Sequence, residues 1–251
     1  MTKIMMHGCN GVMGQVITII VEETDDAVMA AGVDCRDDGH NDYPVYTNLS
    51  DCKEDVDVII DFSAAPAVDG LLDYAAEKKI PVVLCTTGLT DEQLKKVEEA
   101  SKKTAILRSA NMSLGINTLF KLLKSMTKLL ADAGFDIEIV EKHHRRKLDA
   151  PSGTALALAE AVNEPLDNEY EFVFDRSQRR EQRPKKEIGI SAVRGGTIVG
   201  EHEVIFAGQD EVIELKHTAY SRAVFAKGAV SAALYLAGKP AGMYDMSDVI
   251  G

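Results

Sequence analysis

The chain has 251 residues, 45% of them hydrophobic, a formal net charge of -12 and an isoelectric point near 5.0. That length holds one large domain or two modest ones and enough apolar material for a full core. The acidic balance excludes a general nucleic-acid binder, because a phosphate backbone would be repelled over most of the surface. No apolar run is long enough to span a bilayer, so no membrane partner is expected. Residues 1–7 run straight into a glycine loop, leaving no room for the apolar stretch and cleavage site of a secretion signal; the expected location is cytoplasmic. Cys9, Cys35, Cys52 and Cys85 form no C-x-x-C pair and read as free thiols.

Short β-branched runs alternate with helical patterns through the first third of the chain. Residues 4–7, 28–33, 56–61, 81–84 and 105–108 read as strands, and 15–23, 68–78 and 91–102 as helices. Thr90, followed three positions later by Gln93, is a capping box for the last of these. Val58-Ile59-Ile60 is apolar on both faces, as a parallel strand covered by helices on either side must be. After Asn111 the rhythm changes. A helix is expected over 116–133, a strand over 136–142 and a helix over 155–162. A stretch rich in Arg and Lys, 176–186, reads as a solvated loop. Strands over 187–193 and 197–206 flank the turn Arg194-Gly195-Gly196, and a strand over 212–216 precedes a helix over 222–237. Strands in hairpin-like order predict an antiparallel or mixed sheet. The fold class is therefore α/β, a Rossmann-type parallel-sheet domain plus a smaller α+β domain.

Strand, glycine loop and helix come in the order a dinucleotide needs. The loop is Gly8-Cys9-Asn10-Gly11-Val12-Met13-Gly14. Asp34 follows by about 20 residues at the end of the second strand, where a carboxylate meets the adenosine ribose hydroxyls. The spacing is G-x-x-G-x-x-G, a variant of the commoner pattern, so the βαβ context carries the reading. Cys85-Thr86-Thr87-Gly88 and Ser109-Ala110-Asn111-Met112 follow later strands, at the sheet edge where open α/β folds bind ligands. A nicotinamide dinucleotide is expected. Asp34 would repel a 2′-phosphate and Val12 brings no positive charge, while Arg36 offsets this in part. Both NADH and NADPH are therefore expected to serve, with NADH favoured.

A second cluster carries the chemistry. His143, His144, Arg145, Arg146 and Lys147 form an unbroken titratable or basic run in an acidic chain, and Pro151-Ser152-Gly153-Thr154 then opens a helix. Unsatisfied N–H groups at a helix start, with the Ser152 and Thr154 hydroxyls, make a carboxylate site. Histidine moves protons near neutral pH, and lysine supplies a mobile charge or an ammonium acid. The cluster asks for an anionic small molecule that must be protonated. A solvated turn and a metal site are the competing readings. Adjacent histidines on an extended segment face opposite sides and no third ligand has a suitable spacing, so no metal is expected.

The run from His143 through Lys147, Asp149 and Pro151 to Ala155 resembles the signature of the 4-hydroxy-tetrahydrodipicolinate reductase (dihydrodipicolinate reductase) family of diaminopimelate–lysine biosynthesis. The resemblance continues through Asp61-Phe62-Ser63, Thr86-Thr87-Gly88, Ile188-Gly189, Arg194-Gly195-Gly196, Val199-Gly200-Glu201-His202 and Ser221-Arg222. It implies reduction of a cyclic dicarboxylated imine by a nicotinamide cofactor. It also implies a dinucleotide domain over 1–112 completed by 219–251, a substrate-binding and oligomerisation domain over 113–218, and a homotetramer. By matched position His143 is the implied general acid or base and Lys147 a proton donor. Implied substrate contacts are His144, Gly153, Thr154 and Arg222, which Ser152 joins through its hydroxyl at the helix start. The cofactor contacts expected from the glycine loop and the later strand ends are Gly8, Cys9, Asn10, Gly11, Val12, Met13, Asp34, Cys85, Thr86, Thr87, Ser109, Ala110, Asn111 and Met112. The chain departs from the family with Val12 in place of Arg, Cys85 in place of Gly, and Met112 where an aromatic is common. The alternatives are another nicotinamide-dependent amino-acid dehydrogenase, which would ignore the imine, and a non-catalytic dinucleotide sensor, which would turn over nothing.

Overall fold

The alternating apolar runs of the first third become β1 (Thr2–His7), β2 (Ala27–Val33), β3 (Val45–Tyr46), β4 (Val58–Asp61), β5 (Val82–Leu84) and β6 (Ala105–Leu107). Between them lie α1 (Val12–Glu22), α2 (Ala65–Lys78) and α3 (Asp91–Ser101). There follow α4 (Leu114–Asp132), β7 (Asp136–His143), α5 (Gly153–Asn163), β8 (Glu171–Phe174), β9 (Glu187–Arg194), β10 (Gly200–Ala207) and β11 (Val212–Ala219). The chain closes with α6 (Ala223–Leu236), β12 (Gly242–Tyr244) and α7 (Met246–Ile250). The computed structural model describes all residues, 1–251, in two units: Met1–Leu114 with Ala223–Gly251, and Gly115–Arg222.

Seven parallel strands form the sheet of the first unit, in the order β12-β6-β5-β4-β1-β2-β3. Alternation along β1 sends Ile4 and Met6 to one face and Met5 to the other. Ile4 and Met6 pack with Ile17 and Val21 of α1 and with Ala229 and Leu236 of α6. Met5 joins Leu71 and Leu72 of α2 and Val97 of α3. Each fully buried Leu or Ile side chain is worth about 1.5–3 kcal/mol, so both faces must be covered for the sheet to persist. The capping box of α3 forms as expected: Gln93 N–H donates to Thr90 Oγ1 at 3.2 Å, and Thr90 N–H to Gln93 Oε1 at 3.1 Å.

In the second unit five strands take the order β11-β10-β7-β9-β8. β8, β9 and β7 run parallel, while β10 is antiparallel to both of its neighbours, β7 and β11. The hairpin expected of β9 and β10 does not form. β7 lies between them and pairs with both, because its apolar Ile137 and Ile139 belong in the centre of the sheet. Those residues pack with Leu119 and Leu123 of α4 and Leu158 of α5.

The basic stretch 176–186 is more than a solvated loop. The Arg183 guanidinium donates to Glu138 at 2.9 Å, to Asp136 at 2.8 Å and to the Ile137 carbonyl at 2.8 Å. Arg176 and Arg179 reach the buried Glu187. The stretch is thereby clamped to the sheet by charge-assisted bonds. Helix α1 starts three residues before the expected position, and β10 three after. No helix is long and apolar enough to cross a membrane.

Candidate active site

Strand order reverses between β1 and β4, so the loops leaving their C-terminal ends flank the crevice where open α/β sheets hold ligands. Gly8 leaves β1 with φ of +87°, and a Cβ there would lie 2.7 Å from the Phe62 carbonyl oxygen. At Gly14 a Cβ would collide with the carbonyl oxygens of Gly8 and Cys9, so α1 can pack against the loop only through glycine. Gly11 caps α1 without a side-chain hydrogen bond, and no acidic residue occupies the first turn. The helix therefore presents N–H groups and its positive end to an anion.

Asp34 stands beside this loop. Its Oδ2 accepts from the Asn10 N–H at 2.9 Å and its Oδ1 from the Cys35 N–H at 2.7 Å. Asn10 also donates to the Arg36 carbonyl at 2.7 Å and accepts from Asn41 at 2.9 Å, which ties the loop to the segment after β2. Arg36 pairs with Asp38 at 2.6 Å. The Cys9 thiol is fully buried, and burial together with nearby Asp34 pushes it up to about 12. Cys9 thus offers a ligand its backbone alone, whereas Val12 is 65% exposed and Met13 packs on the core.

Cys85, Thr86 and Thr87 follow β5, with the buried Thr86 hydroxyl 3.4 Å from that of Ser63. Ser109, Ala110 and Asn111 follow β6, and Asn111 Oδ1 accepts from the Ser113 N–H at 2.8 Å. Met112 is buried, its carbonyl set against Gly228 of α6. Below the glycine loop, His7 Nδ1 meets Asp61 Oδ1 at 2.7 Å, both groups buried. Burial pushes the Asp61 carboxyl up, but hydrogen bonding and charge from His7, with Ser63 and Thr86, hold it below its ordinary range. An uncapped helix start, glycines closed to side chains and a carboxylate at the ribose position together fit a nicotinamide dinucleotide.

The second constellation is built on β7, where side chains alternate. Ile137 and Ile139 face the core, and the same face continues outward with Glu141 and His143. Glu141 is completely buried and accepts four hydrogen bonds. His143 Nδ1 lies 2.6 Å from Oε2, Arg194 of β9 donates at 2.7 and 2.6 Å, and the Ser152 N–H donates at 2.9 Å. Burial pushes Glu141 up, yet Arg194, His143 and Ser152 outweigh it and the carboxyl ends below its ordinary value. For His143 burial dominates; Glu141 opposes it, Lys147 and Arg194 add to it, and the net effect is downward.

Around this core the loop 144–152 is folded back by its own charges. Lys147 Nζ lies 2.9 Å from Asp149 Oδ1 and is half-buried, whereas Arg145 and Arg146 are exposed. Ser152 caps α5, accepting from the Ala155 N–H at 3.2 Å, and its hydroxyl also meets His202 Nε2 at 2.9 Å. Its hydroxyl is thus already engaged twice, so Gly153 and Thr154 are the helix-start residues nearer solvent. The rings of His143 and His202 meet edge to face at 5.0 Å. His144 has its Nδ1 buried and unpaired. Arg222 is exposed beyond β11 and takes no part in this hydrogen-bonded network.

Family models match in succession: "Dihydrodipicolinate reductase, N-terminus" over residues 2–112 and "Dihydrodipicolinate reductase, C-terminus" over residues 115–250. The chain belongs to the dihydrodipicolinate reductase family. Among its relatives, the 4-hydroxy-tetrahydrodipicolinate reductase of Caldanaerobacter subterraneus is 54% identical, covering 100% of this chain and 98% of that one. That of Clostridium tetani is 49% identical, covering 98% and 96%. A dipicolinate-bound dihydrodipicolinate reductase from Paenisporosarcina sp. TG-14 superimposes with a TM-score of 0.78 at 25% identity, covering 100% of both chains. A C. glutamicum DAP dehydrogenase shares the fold, with a TM-score of 0.59 at 13% identity over 98% of this chain and 92% of that one.

Within this dihydrodipicolinate reductase fold, sequence reasoning gave Glu141, His7 and Asp61 no role of their own. The signal for Glu141 was present: an acidic residue at an inward position of an alternating strand, two residues before a histidine. His7 and Asp61 lie 54 positions apart in sequence and only the pairing of β1 with β4 joins them.

Proposed function

We propose that this chain reduces the cyclic, unsaturated dicarboxylated imine derived from 4-hydroxy-tetrahydrodipicolinate to tetrahydrodipicolinate, with NADH favoured over NADPH. The observation that carries this reading is the convergence of His143, Lys147 and the start of α5 around one loop, all on residues of the family signature. The nicotinamide cofactor supplies a hydride when bound. The first unit holds it: glycine loop and α1 start at the pyrophosphate, Asp34 at the adenosine ribose, and the loops after β5 and β6 at the nicotinamide end.

His144, Gly153, Thr154 and Arg222 hold the substrate's carboxylates, with Ser152 shaping the helix start. Hydride addition leaves an electron-rich enamine, and completing the reduction requires one proton on carbon. His143 delivers it from Nε2, since Nδ1 is occupied by Glu141. Lys147 holds a carboxylate or assists that transfer; Asp149, its partner here, gives way to the substrate. The preference for NADH follows from the Asp34 carboxylate and from Val12, with Arg36 drawn off to Asp38.

The assembly is a homotetramer formed through the sheet of the second unit. One face of that sheet is covered by α4 and α5, and Phe174, Val193 and Val212 remain exposed on its strands. The test is a coupled assay in which the upstream synthase generates the imine and NADH absorbance reports its consumption. NADH consumption that depends on the imine supports the reading. Binding of NADH without turnover, or oxidation of an amino or hydroxy acid instead, overturns it.

A further inference from the structure

The structure assigns Glu141 as the positioning residue of His143, clamped by Arg194, so that the imidazole keeps its proton on Nδ1 and works through Nε2. The inference rests on the reading of His143 as the proton-transferring group. Three geometric facts carry it. Glu141 sits two residues before His143 on the same face of β7, so the strand itself delivers a carboxylate to Nδ1 at 2.6 Å. Both Glu141 oxygens are held from behind, Oε2 by Arg194 Nη1 and Oε1 by Arg194 Nη2 and the Ser152 N–H, which leaves the carboxylate no rotational freedom. Arg194 also donates to the Asp149 carbonyl, so the same guanidinium fixes the loop that carries Lys147.

A fully buried carboxylate is costly unless ion pairing and hydrogen bonds offset its desolvation, as Arg194, His143 and the Ser152 N–H do for Glu141. Here it does two jobs. It selects the tautomer, because an ionised carboxylate can only accept, and Nδ1 must therefore donate. It also stabilises the imidazolium that must exist before a proton is given up. The groups facing His143 are Glu141 on its own strand, Arg194 on β9, His202 on β10 with His217 opposite it on β11, and Lys147 on the following loop. Glu141 alone among them favours the charged ring; the others disfavour it or are neutral.

Replacement by glutamine tests this. Arg194 and Ser152 direct three N–H donors at Glu141, and an amide has one acceptor oxygen, so its NH₂ turns toward His143 and draws the ring to the Nε2–H tautomer. In the full-length Glu141→Gln chain we expect kcat to fall roughly 10- to 100-fold with KM changing less than about threefold. The alkaline limb of the kcat/KM profile should move to lower pH, because His143 loses the group that favours its charged form. Labelled histidine ¹⁵N shifts in the free protein, with His143 assigned by loss of its signal in His143→Gln, should show Nδ1–H in the wild type and Nε2–H in Glu141→Gln.

A wild-type His143 found as Nε2–H overturns the proposal even if Glu141→Gln fails to fold. So does a folded Glu141→Gln that keeps the wild-type limb and kcat. If His143→Gln leaves activity and limb intact, the assignment of His143 fails instead, and the two failures are told apart.

Discussion

At the scale of single residues, the run from His143 to Lys147 separates into side chains turned inward and side chains left in water. His143 is buried and paired, Lys147 is half-buried, and Arg146 is exposed. His143→Gln should therefore lower kcat by about 10²- to 10⁴-fold, the range of general acid–base catalysis. Lys147→Ala should act chiefly on KM, with Lys147→Arg recovering binding incompletely because a planar fork copies a point charge poorly. Arg146→Ala removes the same charge from the same run and should change little. Steady-state kinetics at two salt concentrations decide: three equal losses, mimicked by salt, would make the run a mere electrostatic funnel. Cofactor choice belongs to this scale as well. Asp34 is held in place by two backbone N–H groups, so its charge cannot swing away from a 2′-phosphate. We expect kcat/KM to be higher with NADH; a tenfold advantage for NADPH would contradict this reading.

Among the elements, α1 and α3 show two different uses of a helix start. Helix α3 is closed by its own capping box, whereas α1 has no side-chain cap and leans on the loop through Gly14. Thr90→Ala should cost about 1 kcal/mol of stability and leave NADH affinity unchanged. Gly14→Ala must push the loop away from the helix, so the NADH dissociation constant should rise at least about tenfold, more than its loss of stability explains. Thermal melting with NADH titration by fluorescence checks both. Equal affinities in the two variants would refute the assignment of α1 as the pyrophosphate site. The position of β7 is the other decision made at this scale. Placed between β9 and β10, it brings Arg194 to one side of Glu141 and His202 to the other.

For the whole molecule, stability follows pH through this same buried network. Burial, with the charge of His143 next, lowers His202 to about 4 from an ordinary 6.5. The unfolded chain thus takes up a proton at His202 that the folded chain refuses. Stability is complete above about 6.5 and falls as pH drops toward 4, by up to a few kcal/mol from this group. Glu141 acts in a lower window: its depressed value stabilises the fold above an ordinary 4.5 and is lost as pH falls through the folded value. Urea midpoints between pH 8 and 5 should decline in the wild type and decline less in His202→Gln, which keeps a donor for Ser152. Parallel curves would remove His202 from the account. Assembly is tested by sedimentation equilibrium at micromolar concentration, where a tetramer is expected and a monomer would contradict the proposed role of the second sheet.

The sequence by itself determined the local and the periodic. The parallel βαβ run, the glycine loop, the capping box at Thr90 and the basic cluster before α5 are all short-range patterns, legible because the residues that cooperate are neighbours in the chain. The signature around His143 is equally local and was enough to point to the family. The short elements β3, β8, β12 and α7 were not legible, since no periodicity accumulates over so few positions; the equally short β4, β5 and β6 were, because each is an apolar run set between helical patterns. What only the tertiary structure decided is long-range: β7 between β9 and β10, Arg183 clamped to the sheet, His7 against Asp61, and Arg194 against Glu141. Buried charges must be paired, and their partners are supplied by whichever strand the sheet brings alongside. Spacing along the chain carries no trace of that choice, because it is made by packing the whole core at once.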